Sequence, residues 1–199
     1  MQITDIYKIG NMSIPSTWVA ALVAILLTVI VLRVQFPKEI ASLYSDLALT
    51  FILVWKFSVI LTDFALVVRH PLTILYFNGG QLGVALGAVA VVVQAWRKRE
   101  KWSFEAGAWA IALTQAGFQI SMVLTNDNTR SAELLTLALM MIALLWVLRT
   151  ASEASIKSFA SIQLLVALVQ PVDLLSQLSV WLTVLFVGAL FFIQRSLHK

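Results

Sequence analysis

The 199-residue sequence lacks cysteine, has only two histidines and carries few charges. Without cysteine the chain can form no disulfide, thiol nucleophile, lipid-modified cysteine or cysteine-ligated metal site. Neither histidine has a companion at metal-ligand spacing, so we expect neither a metal nor another cofactor. Charged residues make up 12% of the chain and hydrophobic residues 60%, whereas soluble domains average about 25% and about 45–50%. This balance excludes an ordinary soluble domain.

The few charges are spaced so that long uncharged runs remain between them. Residues 9–32, 71–96, 106–126 and 174–194 contain no charged side chain. A membrane-spanning helix needs about 20 such residues to cross a hydrocarbon layer of about 30 Å. Two shorter runs and a segment interrupted by Lys56 complete the pattern. The sequence therefore predicts an all-α, polytopic membrane bundle that forms one transmembrane domain over residues 1–199. Its seven spans are expected near 15–32, 45–66, 79–96, 106–125, 134–149, 157–172 and 175–194.

The connections between these spans differ in charge. Alternate assignment of the loops to two sides places ten lysines and arginines on one side and three on the other, and Lys56 is the fourteenth. An excess of basic residues marks cytoplasmic loops. We therefore expect the N-terminus outside, the C-terminus in the cytoplasm, and a multi-pass location in the bacterial cytoplasmic (inner) membrane. The net charge of +4 follows from this topology, and without a basic stripe carrying aromatic residues we expect no nucleic-acid partner.

Lys56 is the residue that costs most to place in a membrane. Near mid-bilayer a lysine costs about 2.5–3.5 kcal/mol on insertion scales. Two interpretations stay open: a paired or snorkelling structural lysine, or a cation that binds an anionic lipid head group. Asp63 lies seven residues further along, on the same face of a continuous helix, and could share a polar path with Lys56.

The segment Phe77–Gly83 opens the third predicted span. Free amides at a helix N-terminus suit a phosphate, and the adjacent Asn78, Gly79 and Gly80 would let a ligand approach closely. The alternative is helix packing through the small-residue pair Gly83 and Gly87, which physical considerations alone favour.

Several amide side chains lie within the predicted spans. They cannot titrate near neutral pH, so they serve either as interhelical hydrogen-bond partners, which we favour, or as a polar lining for a lipid head group. These residues are Gln115, Gln119, Asn126, Gln163, Gln170 and Gln177.

Several segments, in this order, resemble the prolipoprotein diacylglyceryl transferase family over most of the chain. The strongest stretch is His70–Val84, where the family has Pro-Leu followed by Phe-His-Gly-Gly. Lys56 falls where the family has an arginine. Glu133-Leu134-Leu135 resembles the opening of a later family helix, and Gln170–Asp173 and Ser176-Gln177 resemble a turn and the start of the last helix.

This resemblance implies a family activity that moves a diacylglyceryl group from phosphatidylglycerol to a lipobox cysteine, a step of lipoprotein biosynthesis. The chain departs from the family where that chemistry is carried out. Asn78 replaces the family's histidine, Gln163 replaces an arginine, and the fourth span contains no arginine. Arg130 is the candidate replacement for one lost cation.

The leading hypothesis is a diverged transferase-like protein that binds phospholipid or lipoprotein in the envelope with weak or no catalysis. Its candidate partners are phosphatidylglycerol, a lipoprotein precursor or another envelope protein. The alternatives are an active transferase that uses Lys56, Arg130 and a different base, and a small transporter or accessory subunit of a membrane complex. No catalytic residue is assigned. The candidate head-group ligands are Lys56, Asn78, Gly79, Gly80, Gln119, Arg130, Gln163 and Gln177, and the candidate polar-path residues are Asp63 and Glu133.

Overall fold

The computed structural model describes residues 6–9, 12–71, 74, 77–125, 130–169 and 177–197. This part of the chain begins with a short antiparallel hairpin, β1 (Ile6–Ile9) and β2 (Met12–Pro15), in which Tyr7 pairs with Ile14. All further regular structure in these ranges is helical. The helices are α1 (Ser16–Gln35), α2 (Lys38–Phe57), α3 (Val59–Thr62), α4 (Phe64–Arg69), α5 (Gly80–Arg97), α6 (Phe104–Thr125), α7 (Arg130–Thr150), α8 (Glu153–Val169) and α9 (Leu178–Leu197), with a 3-10 turn at Arg99–Lys101.

Six helical segments are long and apolar enough to cross a membrane. They are Ser16–Gln35, Lys38–Thr62, Gly80–Arg97, Phe104–Thr125, Arg130–Thr150 and Leu178–Leu197. The helical, multi-pass prediction is confirmed at this level, with the hairpin as an addition that the sequence did not predict. The span predicted at 157–172 corresponds to the 17 residues of α8, and residues 170–172 and 175–176 of the last two predicted spans lie outside the described ranges. The count of seven and the orientation of the termini stay predictions.

The helix at the second predicted span, 45–66, has different bounds from that span. Its helix begins at Lys38, where Pro37 precedes the first turn and Glu39 suits the positive helix N-terminus. The helix is perturbed at Ser58 and ends at Thr62, because Asp63 has φ −135° and ψ 46°. Asp63 and Lys56 therefore do not share one face of a continuous helix.

The contacts within the chain define two compact units. Unit 1 contains residues 1–41 and 102–199, and unit 2 contains residues 42–101. The single transmembrane domain predicted over residues 1–199 stays a prediction.

Helix α6 is the centre of unit 1. It packs against α1, α7 and α9, and 56% of its most apolar window is buried, against 22% for α1 and for α7. Small side chains allow this close packing: a Cβ on Gly117 would lie 3.3 Å from Cα of Ala24 on α1. The other buried small residues of α6 are Ala106, Gly107, Ala108, Ala110, Ala112 and Ala116.

Helix α1 shows the same arrangement from the other side. Small and hydroxyl residues at four-residue spacing face inward, including Ala20, Ala24 and Thr28. Large apolar residues face outward, and Leu26 and Ile30 are 60% and 58% exposed. A soluble helix would bury its largest apolar side chains. The opposite pattern in α1 is typical of a helix in a membrane, where small residues let the backbones of two helices approach and large apolar residues contact lipid.

Ala151, directly after α7, has φ 43°, a left-handed backbone conformation that costs a non-glycine residue about 1 kcal/mol or more. We therefore expect Ala151→Gly to stabilise the protein by about 1 kcal/mol and to raise its thermal unfolding midpoint in detergent by about 2–4 °C. Ala154→Gly, in the first turn of α8, is the matched control and should give no gain. An unchanged or lower midpoint for Ala151→Gly would contradict this prediction.

Candidate functional site

The predicted site residues divide between the two units. Unit 2 holds Lys56, Asp63, Asn78, Gly79 and Gly80, and unit 1 holds Gln119, Arg130, Glu133, Gln163 and Gln177. Each group is therefore described within its own unit.

Lys56 lies in the helical segment Lys38–Thr62 and is half-buried. An ion pair between Asp46 Oδ2 and Lys98 Nζ, 2.8 Å apart, joins α2 to the residue directly after α5. At about 1.5 Å per residue, Lys56 lies about 15 Å along the helix from Asp46. Since charged pairs favour the membrane surface, this spacing agrees with a position for Lys56 deep in the hydrocarbon layer.

The glycines at the start of α5 pack against α2. The Gly79 N–H donates to the Trp55 carbonyl oxygen over 3.5 Å. A Cβ on Gly83 would collide with Ser58 Oγ and lie 3.0 Å from the same carbonyl oxygen, and a Cβ on Gly87 would lie 3.0 Å from the Phe51 ring. The structure therefore shows the packing role for Gly83 and Gly87 that the sequence favoured.

The turn before α5 contains the backbone amides that the sequence suggested for phosphate binding. Gly80 has φ 56°, the left-handed conformation that glycine adopts without strain, and its N–H donates to Asn78 Oδ1 over 2.9 Å. Asn78 thus already satisfies one amide at this helix start, and a phosphate there would have to displace it. Leu72, Thr73, Leu75 and Tyr76 of the same motif lie outside the described residues.

Asp63 is exposed at the helix interruption. Its Oδ2 accepts a hydrogen bond from Thr62 Oγ1 over 2.8 Å. The structure thus places this carboxylate at the end of the segment Lys38–Thr62 and outside any continuous helical stripe with Lys56.

Unit 1 contains a cluster of hydrogen-bonded amides and hydroxyls, which we call the amide seam: Gln119 on α6, Gln163 on α8, and Ser179 and Thr183 on α9. The Thr183 hydroxyl donates to Gln163 Oε1 over 2.7 Å, and Gln119 Nε2 donates to Ser179 Oγ over 2.8 Å. Both glutamines and Thr183 are almost wholly buried. The amide seam therefore joins three helices through hydrogen bonds between their polar side chains.

A second amide joins two helices of unit 1. Gln177, directly before α9, is buried and donates from Nε2 to the Ala167 carbonyl oxygen of α8 over 2.9 Å. Interhelical hydrogen bonding, the favoured interpretation of the glutamines, thus describes Gln119, Gln163 and Gln177. Their role toward a lipid head group stays a prediction.

The remaining candidates lie at the start of α7. Arg130 is exposed at its first residue and Glu133 is half-buried in its first turn. The neighbouring Asn126 and Asp127 lie outside the described residues, as do Gln170, Pro171, Val172, Asp173 and Ser176 of the later motifs.

Sequence reasoning missed the hydroxyl partners. Thr28 on α1 lies 3.2 Å from Thr114 on α6, oxygen to oxygen, and Thr183 bonds Gln163. The available signal was the four-residue spacing of small and hydroxyl residues along one face of α1, a series that ends with Thr28. The partner of each one depends on helix rotation, which the sequence does not display.

The buried polar groups have a common chemistry. Within the described ranges, every buried polar side chain is a hydroxyl or an amide, and no group of three or more histidines, aspartates and glutamates could hold a metal ion. Such side chains donate and accept hydrogen bonds but do not exchange protons near neutral pH. The arrangement can hold helices together and solvate a polar ligand.

No protein-family model, curated protein or solved structure matches this chain.

The amide seam predicts a measurable coupling between Gln163 and Thr183. Thr183→Val should destabilise the detergent-solubilised protein by about 1–2 kcal/mol, because it leaves the buried Gln163 Oε1 without its donor. Gln163→Leu should cost less, because the Thr183 hydroxyl can still donate to the Ser179 carbonyl oxygen 3.0 Å away. The double variant should cost less than the sum of the two, by about 0.6–1.7 kcal/mol of coupling energy. Strict additivity would show that this bond contributes nothing to stability.

The glycine packing predicts a contrast between two alanine substitutions. Gly83→Ala should lower the thermal midpoint of the protein, because the added methyl group collides with Ser58 and approaches the Trp55 carbonyl. Gly188→Ala on α9 is the control, since a Cβ there has no neighbour within 4 Å in the described structure. Equal midpoints for the two variants would contradict the packing role.

Proposed function

We propose that this chain is a multi-pass protein of the bacterial cytoplasmic membrane that binds the head group of a phospholipid, with phosphatidylglycerol as the candidate ligand. In this proposal it is a diverged relative of the prolipoprotein diacylglyceryl transferases with weak or no transfer activity. The observation that carries it is Lys56: a half-buried lysine about 15 Å along a membrane-spanning segment from the Asp46–Lys98 ion pair. An anionic head group would offset part of the cost of placing a cation at such a depth.

The proposed topology has seven spans, with the N-terminus outside and the C-terminus in the cytoplasm. Helix α8 supports the seventh span, since its 17 described residues extend over about 26 Å. The Asp46–Lys98 pair supports the alternate assignment of the loops, because it places the start of the second span on the same side as the connection after the third span.

The expectation of weak or no transfer activity is supported by the buried polar side chains of the described ranges, which are uncharged amides and hydroxyls. Transfer to a thiol requires a group that accepts the thiol proton and a cation that stabilises the departing phosphate. Asn78 Oδ1 accepts the Gly80 N–H, and Gln163 Oε1 accepts the Thr183 hydroxyl. Both amides, which stand where the family has a histidine and an arginine, act as neutral hydrogen-bond acceptors.

Binding can be tested by native mass spectrometry of the whole protein with phosphatidylglycerol. Lys56→Ala should weaken retention of at least one lipid by about tenfold or more, since a charge-assisted hydrogen bond contributes about 1.5–3 kcal/mol. Lys56→Arg should keep that lipid. Lys38→Ala, at the exposed start of the same helix, is the matched control. Unchanged retention by Lys56→Ala would overturn the lipid-binding role of Lys56.

Catalysis is tested separately with phosphatidylglycerol and a lipobox peptide. We expect little or no diacylglyceryl transfer by the purified protein. Robust transfer that is abolished by Lys56→Ala or Arg130→Ala would instead establish the active-transferase alternative.

The helix interruption favours one second candidate, transport of a small anion or a proton. Interrupted helices with polar residues at the break are common in transporters, and Asp63 is exposed at this break. Under transport, Asp63→Asn should abolish flux into proteoliposomes. Under lipid binding, it should leave phosphatidylglycerol retention unchanged and the vesicles without flux.

A further inference from the structure

A cavity of about 280 Å³ lies at one end of unit 1, away from the amide seam. Four helix ends meet there: α6 begins at Phe104, α8 begins at Glu153, α7 ends directly before Ala151, and α9 ends shortly after Arg195. The Phe104 and Phe191 rings, with centroids 5.8 Å apart, form its apolar wall. Its lining is Phe104, Ala151, Ser152, Glu153, Phe191, Gln194 and Arg195.

Two hydrogen-bond donors of the cavity are available to a ligand. Gln194 Nε2 is buried and has no hydrogen-bond partner within the part of the chain that the structure describes. Arg195 is exposed beside it and supplies a guanidinium. A buried amide donor without an acceptor destabilises the protein, so an acceptor at this position would recover that free energy.

The neighbouring polar groups are already used. Glu153 Oε2 pairs with Lys157 Nζ over 3.0 Å, and the same Nζ lies 4.8 Å from the centre of the Phe191 ring. Ser152 and Ser155 exchange hydrogen bonds between their hydroxyls and amides at the start of α8. With Glu153 neutralised by Lys157, Arg195 leaves the cavity with one net positive charge. The positive N-terminal ends of α6 and α8 are offset by the negative C-terminal ends of α7 and α9 at the same cavity, so the charge of Arg195 sets the sign of its potential. The ligand should therefore be an anion.

The position of the cavity indicates where that anion comes from. Arg195 is the first charged residue after the uncharged run 174–194, so it lies at the edge of the hydrocarbon layer, where lipid phosphates lie. An exposed face of α9 leads from there along the membrane through Phe192, Gly188 and Leu185. Gly188 has open space around its Cα, so an acyl chain could lie against the helix on this face.

We propose that this cavity binds the phosphate of an anionic phospholipid, with the phosphate oxygens accepting hydrogen bonds from Gln194 Nε2 and the Arg195 guanidinium and an acyl chain lying along α9. Basic pockets between membrane helices are known to bind anionic head groups. The proposal concerns a second lipid site that uses neither Lys56 nor Asn78.

The test is lipid retention by the whole protein in native mass spectrometry, carried out on Lys56→Ala protein so that it does not depend on the Lys56 proposal. Phosphatidylglycerol should be retained more strongly than phosphatidylcholine. Arg195→Gln should weaken its retention by about tenfold, and Gln194→Leu by a smaller factor. Arg149→Gln, at the exposed end of α7 and outside the cavity lining, is the matched control and should leave retention unchanged.

The thermal midpoint in phosphatidylcholine shows whether each variant is folded, and Arg195→Lys, which keeps the charge, should restore much of the binding. Equal retention of phosphatidylglycerol by the parent, Arg195→Gln and Gln194→Leu would overturn the proposal. Displacement of the lipid by millimolar inorganic phosphate alone would identify free phosphate as the ligand and overturn the lipid assignment.

Discussion

Hydrocarbon neither donates nor accepts hydrogen bonds, and the architecture of unit 1 follows from that constraint. A glutamine that faced lipid would leave its amide unsatisfied, at a cost of several kcal/mol. The side chains of Gln119, Gln163 and Gln177 instead bond across helix contacts. These bonds fix the rotation of α8 and α9 about their axes, which apolar contacts alone would specify poorly. The small residues of α6 complement them, because they bring the helices close enough for short side chains to meet.

The two units use small residues in different ways. In unit 1 a helix rich in alanine is surrounded by neighbours, whereas in unit 2 glycines of α5 lie directly on the backbone of α2. One end of the contact between α2 and α5 is polar: there the Ser58 hydroxyl donates to the Trp55 carbonyl oxygen over 2.6 Å. This bond draws a serine into the helix contact and perturbs the helical ladder near the half-buried Lys56.

The sequence predicted the helices well where the uncharged run and the helix coincide, as in α1 and α6. It did not predict the bounds of α2, because Asp46, Lys56 and Asp63 all lie in the predicted span 45–66 and no uncharged run marks the ends of the helix. The interruption at Asp63 was missed because no proline or glycine marks it. For the candidate site, residue types were predictable and pairings were not: the bond between Gln163 and Thr183 depends on helix rotation, which a single sequence does not contain.

The position of α1 has a consequence for biogenesis. Unit 1 is discontinuous, and the partner of α1, helix α6, is synthesised only after all of unit 2. During insertion α1 must therefore remain in lipid without its partner. Thr28 is a buried hydroxyl residue of α1 that contacts α6. Its hydroxyl already donates to the Ala24 carbonyl oxygen of its own helix over 2.8 Å, so this donor is satisfied before α6 is made. The nascent α1 can therefore remain in the bilayer with this hydroxyl donor satisfied until α6, which carries Thr114, is inserted and packs against it.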